Sequence, residues 1–331
     1  MTIDHKHYPQ KTTLSSPDHP PYLWWQGGLV PWDDAQVHVT SLGWPAISAV
    51  FEGIRGYWND AKQELYIFRL QEHLLRLARS MRFMRMDQTY TAADFTAAIL
   101  ELMRANQHKA DAYCSPVVYL AQNIAGYLPA NNIPCEAYIT SRPAASALGN
   151  GHASTACVST WTRLPDNVMP PRAKAITNYQ NSRYVSTEAK LNGFDYGIVL
   201  NQQGKVAEGS HACIFIVRDG VAITPPTTAG ILESITRESA MTLLREAGVP
   251  VQERDVDRTE LYLADEAFFV GTYIEIEAIG YIDHYTLGDG APGPITRALQ
   301  QAFVSAIRGN DERHMDWLTP VYAGVPAGRE R

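Results

Sequence analysis

The chain has 331 residues, of which 28 are Lys or Arg and 35 Asp or Glu, for a net charge of −7 with 19% of residues charged and 45% apolar. That balance leaves no basic stripe to neutralise phosphates, so a nucleic-acid partner is not expected, and the apolar fraction is too high for a disordered chain. No run of about 18 apolar residues is present to span a membrane, and at roughly 100–200 residues per domain the length calls for two domains or one large one.

Residues 1–20 are polar and read as a flexible extension without the apolar core of a secretory signal, so a cytoplasmic protein is expected. From Pro21 the chain turns aromatic and apolar. VFEGIRGYW (50–58) and ELYIFRL (64–70) read as strands of a hairpin around WNDAKQ. Residues 71–84 place Leu74, Leu77 and Met81 at helical spacing, and 91–107 form a second amphipathic helix whose Thr91-x-x-Asp94 start resembles a capping box. SPVVYLAQ and CEAYITS read as strands. The Gly, Ala, Ser and Pro-rich stretch 142–154 reads as a linker.

In the second half CVSTWTR reads as a strand and NSRYVSTEAKLNG as a helix stopped by Gly193. YGIVLN and KVAEG form a hairpin pattern, and CIFIVRDGVAIT forms another that turns at Asp219–Gly220. SITRESAMTLLREAG is a helix with a serine start and a glycine stop. DEAFFVGTYIEIEAIGYI reads as one long strand region, and PITRALQQAFVSAIRG as the last helix, ended by Gly309. The mixture predicts two α/β or α+β domains.

The basic residues are uneven, with 21 arginines and only seven lysines, so chemistry that needs an amine has few places to find one. Cys114, Cys135, Cys157 and Cys213 show no C-x-x-C spacing, and no H-E-x-x-H occurs, so no metal site is expected. GDGAPG (288–293) matches a dinucleotide fingerprint, but Pro292 and Pro294 interrupt it and no βαβ unit surrounds it. What remains is a spaced set: Lys174, Glu208, a loop entering a helix at Ser234–Thr236, and Gly271–Thr272 inside an apolar strand context. A lysine in an apolar setting favours its nucleophilic neutral form. A helix start with hydroxyls binds phosphate through free N–H groups, and a buried carboxylate beside a basic ring nitrogen keeps that ring protonated. Taken singly, a surface lysine, a hairpin carboxylate and a helix cap are the commoner readings of these residues.

The segments VFEGIR, FRLQEHLLRL, AKAITNYQNS, VAEGS, TPPTTAGIL with ITRES, LYLADE with FVGTYIEI, and GDGAPGPITRALQQAF resemble, in the same order, those of the fold-type IV pyridoxal-phosphate (PLP) aminotransferases. The resemblance runs from about Trp32 to Trp317 and is closest to the branched-chain amino-acid aminotransferases. It implies a two-domain α/β (α+β) chain with the D-amino-acid aminotransferase-like fold. A small N-terminal domain would span 21–141, an interdomain loop 142–152, and a larger PLP-binding domain 153–331. It also implies ping-pong transamination between an amino donor and a keto acceptor, and a homodimer or larger assembly. Residue by residue, Lys174 would be the Schiff-base lysine that also shuttles the proton, Tyr179 would bond the cofactor's phenolic oxygen, and Glu208 the pyridine nitrogen. Arg69, Ile235, Thr236 and Thr272 would hold the phosphate.

Departures from the family pattern cluster at the expected substrate pocket. Ala46 stands where a tyrosine is usual, Ser115 where an arginine binds the substrate α-carboxylate, and Ala144 and Ala147 where Trp and Tyr are usual. Arg142 replaces an apolar residue, Cys213 an asparagine, and Glu233–Ser234 a Pro–Gly pair. Phe51, Tyr113, Tyr273 and Ile274 are further expected pocket positions. Each lost ring removes about 150–250 Å² of contact surface, so the pocket should be enlarged and suit a bulky amino acid or an amine, including an (R)-amine. Arg55 or Arg142 could replace the missing carboxylate clamp. A true branched-chain aminotransferase, a D-amino-acid aminotransferase, an aminodeoxychorismate-lyase-like enzyme and a non-catalytic relic of the fold are the alternatives.

Overall fold

The computed structural model describes residues 19–39, 48–121 and 134–323. The N-terminal extension apart from its last two residues, and Ala46 with its neighbours, lie outside the described residues.

The first half builds one antiparallel sheet with two helices packed on it. The strands are β1 (Tyr22–Trp25), β2 (Gly28–Pro31), β3 (Val50–Phe51), β4 (Ile54–Asn59), β5 (Glu64–Phe68), β6 (Ala112–Leu120) and β7 (Cys135–Pro143). Helices α1 (Leu70–Phe83) and α2 (Ala92–Ala105) follow β5, and Thr91 and Asp94 close the expected capping box at the start of α2. Leu74, Leu77 and Met81 of α1 and Ile99 and Leu102 of α2 are buried in one cluster with Ile67 of β5. The β4–β5 hairpin has the expected turn, with Gly56 opposite Ile67 and Asn59 opposite Glu64. The strand expected over 50–58 is broken at Glu52–Gly53, where the Glu52 N–H turns to the carbonyl of Pro116. A Cβ on Gly53 would lie 1.8 Å from the Tyr113 hydroxyl, so this position admits only glycine without moving that ring.

The second sheet is mixed. Its elements are β8 (Ala153–Thr162), α3 (Tyr179–Leu191), β9 (Tyr196–Leu200), β10 (Val206–Gly209), β11 (Cys213–Arg218), β12 (Val221–Thr224), α4 (Ile235–Glu246), β13 (Val251–Glu253), β14 (Glu266–Gly271), β15 (Glu275–Ile282), β16 (Tyr285–Thr286) and α5 (Pro294–Ile307). The strand order is β10-β9-β8-β15-β14-β11-β12-β13, with β8 parallel to both β9 and β15. α3 supplies the crossover that a parallel β8–β9 pair requires. The β11–β12 turn places Asp219 and Gly220 at φ 49° and 75°, as the Asp–Gly pair predicts.

Two expectations change. The region 265–282 is not one strand but a hairpin of β14 and β15, with Gly271 opposite Glu275. Its turn carries no Pro, Asn or Asp, and the reversal rests on Glu275 at φ 60°. Tertiary contacts hold that residue, because its carboxylate accepts from the Ser146 hydroxyl and the Ala147 N–H. The second concerns the domain expected over 153–331: β17 (Leu318–Pro320), for which no strand was expected, pairs with β5 and returns the chain to the first sheet.

The glycines of 288–293 serve packing. A Cβ on Gly280 would lie 2.3 Å from the Gly290 carbonyl oxygen. The Glu266 carboxylate accepts from the N–H groups of Ile295 and Thr296, so the start of α5 is already capped. Gly280→Ala is therefore expected to lower stability by about 1–3 kcal/mol, because backbone must move. An unchanged melting temperature would show that the loop yields freely. Among the described residues, no helix is long and apolar enough to cross a membrane.

Candidate active site

The segment that carries Lys174 is stitched to the first sheet. The Phe51 N–H donates to the Lys174 carbonyl at 3.0 Å, the Ile176 N–H to the Ala49 carbonyl at 2.9 Å, and Val50 bridges Ala175. From the other side the Lys174 N–H donates to Ser80 Oγ of α1 at 3.0 Å. The backbone is thus fixed between two elements while the side chain enters a cavity of about 210 Å³ between the sheets. There Lys174 Nζ donates to Tyr179 Oη at 2.6 Å and lies 4.7 Å from the centre of the Phe51 ring.

Glu208 lines the same cavity from β10. One carboxylate oxygen is 2.9 Å from Arg163 and the other accepts from the Leu232 N–H at 3.2 Å. Burial pushes the Glu208 carboxyl above its ordinary range, and the Arg163 guanidinium opposes that shift. Arg163 is itself anchored through Nε on the Gly230 carbonyl at 2.8 Å.

The expected phosphate arginine is corrected by the geometry. Arg69 sits at φ 50° before α1, with its guanidinium over Trp317 and bonded to Glu72, Glu238 and Ser239. The left-handed backbone there turns the side chain toward α4 and away from the cavity. Arg76, two turns further along α1, lines the cavity instead. Its Nε and one terminal nitrogen donate to the Glu52 carboxylate at 2.7 and 2.8 Å, and the other donates to the Glu233 carbonyl at 2.8 Å. At the same end, Ser234 lines the cavity and caps α4 by accepting from the Arg237 N–H. The N–H groups of Ile235 and Thr236 open that helix and precede its internal bonds, while their side chains are buried. Thr272 lines the cavity on the opposite side.

Glu52 is fully buried and also bonds His73 Nδ1 at 2.8 Å. Burial alone would raise its carboxyl, but Arg76 and His73 outweigh that and hold it down at about 2. A folded-state value below the unfolded one stabilises fully above about pH 4.5, and that stability is lost as pH falls toward 2. The stability gap between wild type and Glu52→Gln should therefore contain about 3 kcal/mol that disappears over that window. Urea unfolding at stepped pH checks this, and a gap that stays constant would refute it.

The expected substrate positions divide. Phe51, Tyr113 and Tyr273 line the cavity. Arg142 lies opposite Tyr113 across the β6–β7 pair, with its guanidinium 5.1 Å from the Tyr113 ring centre and 5.7 Å from that of Tyr273. Arg55 does not offer a free fork: it is buried and donates to the carbonyls of Ala144, Ala145 and Tyr273, tying the 144–145 segment to the β14–β15 turn. Ser115 turns its hydroxyl to the Glu52 carbonyl. The Ala144 N–H is bonded to the Asp111 carbonyl. A second chamber of about 320 Å³ shares Ser210, His211, Ala212 and Tyr273 with the first, and Ala147 and Ile274 line it. Cys213 is buried, and burial pushes its thiol up to about 12.

Four contributors were missed in the sequence: Arg76, Arg163, Asn178 and His211. Arg76 shares the 3–4 spacing of His73, Leu77 and Ser80, all buried, and that spacing was a usable signal. Arg163 carried none. Asn178 donates to the carbonyls of Pro170 and Ala173 and shapes the lysine loop, while its side-chain oxygen is buried without a partner beside the cavity. His211 lines both chambers, and burial, followed by Lys174, lowers its pKa.

An amine on a phenol hydroxyl, a carboxylate backed by arginine, and an arginine near a helix start are the donor set that PLP requires for its aldehyde, ring nitrogen and phosphate. Known proteins agree. Residues 49–280 match the family described as amino-transferase class IV. A probable branched-chain-amino-acid aminotransferase of Aquifex aeolicus is 38% identical over 307 residues, covering 91% of this chain and 97% of that protein. The crystal structure of a branched-chain amino acid aminotransferase from Thermobaculum terrenum, in its PLP form, is 48% identical with a TM-score of 0.89, covering 92% of this chain and 99% of that one. A branched-chain aminotransferase from the archaeon Thermoproteus uzoniensis, solved with norvaline, is 40% identical with a TM-score of 0.85, covering 92% and 100%. The sequence, the fold and the cavity converge, and the chain belongs to the class IV aminotransferases, PLP-dependent transaminases similar to the branched-chain group.

Proposed function

We propose that this transaminase works through Lys174, Tyr179, Glu208 and Arg76 on an amino donor with a bulky side chain and on a keto acid. The observation that carries this reading is the single cavity where Lys174 Nζ meets Tyr179 Oη and Glu208 stands paired to Arg163. When bound, PLP supplies the electron sink for the charge left when the substrate Cα loses its proton. Lys174 Nζ takes that proton and returns it, with Tyr179 Oη holding the amine in place. Glu208 keeps a proton on the ring nitrogen. Arg76, Thr272 and the N–H groups of Ile235 and Thr236 receive the phosphate.

The second chamber, lined by Ala145 and Ala147, supports the bulky donor. Arg142 is the carboxylate clamp of this reading, because its exposed guanidinium stands over two cavity-lining rings with one long bond to the Pro143 carbonyl, while buried Arg55 is held by three backbone carbonyls. Arg142→Ala should raise KM for the keto acid by roughly 10- to 100-fold, the loss of a charged hydrogen bond. KM for a donor amine without a carboxylate should not change. Equal effects on both substrates would remove the clamp.

A homodimer in the cytoplasm completes the reading. Trp161 and Tyr184 stack at 4.8 Å on the surface, 46% and 45% exposed, and aromatics of this kind are enriched at interfaces. The four cysteines are buried and free, as suits a reducing compartment. The decisive experiment titrates PLP-loaded protein with amino acids and with (R)- and (S)-amines and reads absorbance, after borohydride has located the cofactor on a peptide. Attachment away from Lys174 overturns the site, and efficient turnover of leucine with no turnover of bulky donors overturns the substrate class.

A further inference from the structure

The face of α1 toward the cavity carries more than its arginine. His73, Arg76 and Ser80 lie on it at helical spacing; all are buried, and Ser80 holds the Lys174 N–H. Behind Arg76 stands Glu52, whose backbone is clamped by β6 on both sides. Its N–H donates to the Pro116 carbonyl at 2.9 Å and its carbonyl accepts from Ser115 Oγ at 2.8 Å. The carboxylate takes Arg76 side-on through Nε and a terminal nitrogen, and its second oxygen also bonds His73 Nδ1.

An arginine has five N–H donors. Glu52 takes two and the Glu233 carbonyl takes a third, which leaves one on each terminal nitrogen. That remaining pair suits two oxygens of one phosphate in the planar fork geometry that lysine cannot offer. A side chain as flexible as arginine would otherwise lose rotamer freedom on binding an anion. Here two partners have already ordered it.

We propose that Glu52 and His73 are positioning residues for the cofactor phosphate: a buried brace that holds the Arg76 fork open toward the cavity before the anion arrives. The proposal rests on the PLP reading of the cavity. It concerns the phosphate end alone, so it separates from every role assigned to Lys174 and Glu208. The brace acts through geometry and not through added charge, since the Glu52 carboxylate offsets the Arg76 cation.

The test compares PLP with pyridoxal, which lacks the phosphate. Apo-protein of wild type, Glu52→Gln, His73→Gln and Arg76→Ala is titrated with each compound by absorbance, with inorganic phosphate as competitor. Outer partners that orient a binding group typically contribute 10- to 100-fold in affinity at metal sites, and the same scale is expected here. Glu52→Gln should lose about that factor for PLP while pyridoxal affinity holds, and inorganic phosphate should compete less well. His73→Gln should move the ratio the same way by a smaller factor, which keeps the test decisive should Glu52→Gln fold poorly. If the PLP-to-pyridoxal ratio stays at the wild-type value in both variants and falls only in Arg76→Ala, the brace is refuted and the phosphate site stands. If wild type itself shows no preference for PLP over pyridoxal, the phosphate reading falls and the brace with it.

Discussion

Lys174→Ala should fold normally and lose transamination by roughly a thousandfold or more, because on the proposed reading Lys174 is both the nucleophile and the proton carrier. Folding should survive because the bonds that place this residue are made by its backbone, to Ser80 Oγ and Phe51 N–H, and alanine keeps both. Among the described residues no other lysine lines the cavity, so no neighbouring amine there can substitute. Borohydride should no longer attach the cofactor, whereas cofactor affinity should fall less than turnover, since the phosphate and ring contacts remain. Added small primary amines should restore part of the rate. The measurement is steady-state turnover of one donor and acceptor pair with and without methylamine. A variant within tenfold of wild type would remove Lys174 from the mechanism.

The second large effect belongs to Glu208, where activity and stability can be separated. The Glu208–Arg163 pair is buried, with side chains 9% and 8% exposed. Glu208→Ala removes one partner and leaves a buried guanidinium uncompensated, a change that costs about 3–5 kcal/mol. On the proposed reading it also removes the partner of the ring nitrogen, and preorganised electrostatic partners of this kind are worth about 10²- to 10³-fold in rate. Glu208→Gln distinguishes the two. Its amide fills the space and its oxygen can still accept from the Leu232 N–H, so the part of the cost due to the cavity should be removed while the unpaired Arg163 and the rate loss remain. Thermal unfolding and turnover on the same preparations decide it. If Glu208→Gln keeps wild-type turnover, the carboxylate serves only to pair Arg163.

Comparison of Arg69 and Arg76 shows where sequence reading reached its limit. Both lie in one conspicuous segment, and ordered motif blocks locate the segment without choosing between its arginines. The choice depends on the φ of 50° at Arg69, which sends that side chain to Trp317, and on the burial of the helix face that holds Arg76. Arg163 illustrates a stricter limit. It meets Glu208 across 45 positions of sequence, and its spacing carries no signal for the pair. The β14–β15 turn has the same origin: its reversal depends on Glu275 bonded to Ser146 and Ala147, contacts absent from any local window.

Local chemistry was readable because it acts over a few residues. The capping box at Thr91, the Asp219–Gly220 turn, the glycine stops and the amphipathic faces of α1 and α2 follow from backbone freedom and side-chain periodicity alone. The scarcity of lysine also shortened the search for a nucleophile to seven residues. By itself the sequence determined the family and most of the local elements, and it singled out Lys174 as the candidate amine. The tertiary structure alone decided that Arg76 and not Arg69 lines the cavity, that Glu52 pairs with Arg76, and that Arg55 is bonded to backbone carbonyls while Arg142 lies over the Tyr113 and Tyr273 rings. Those outcomes depend on long-range burial and on the direction of each side chain, and neither is a property of neighbouring residues in the chain.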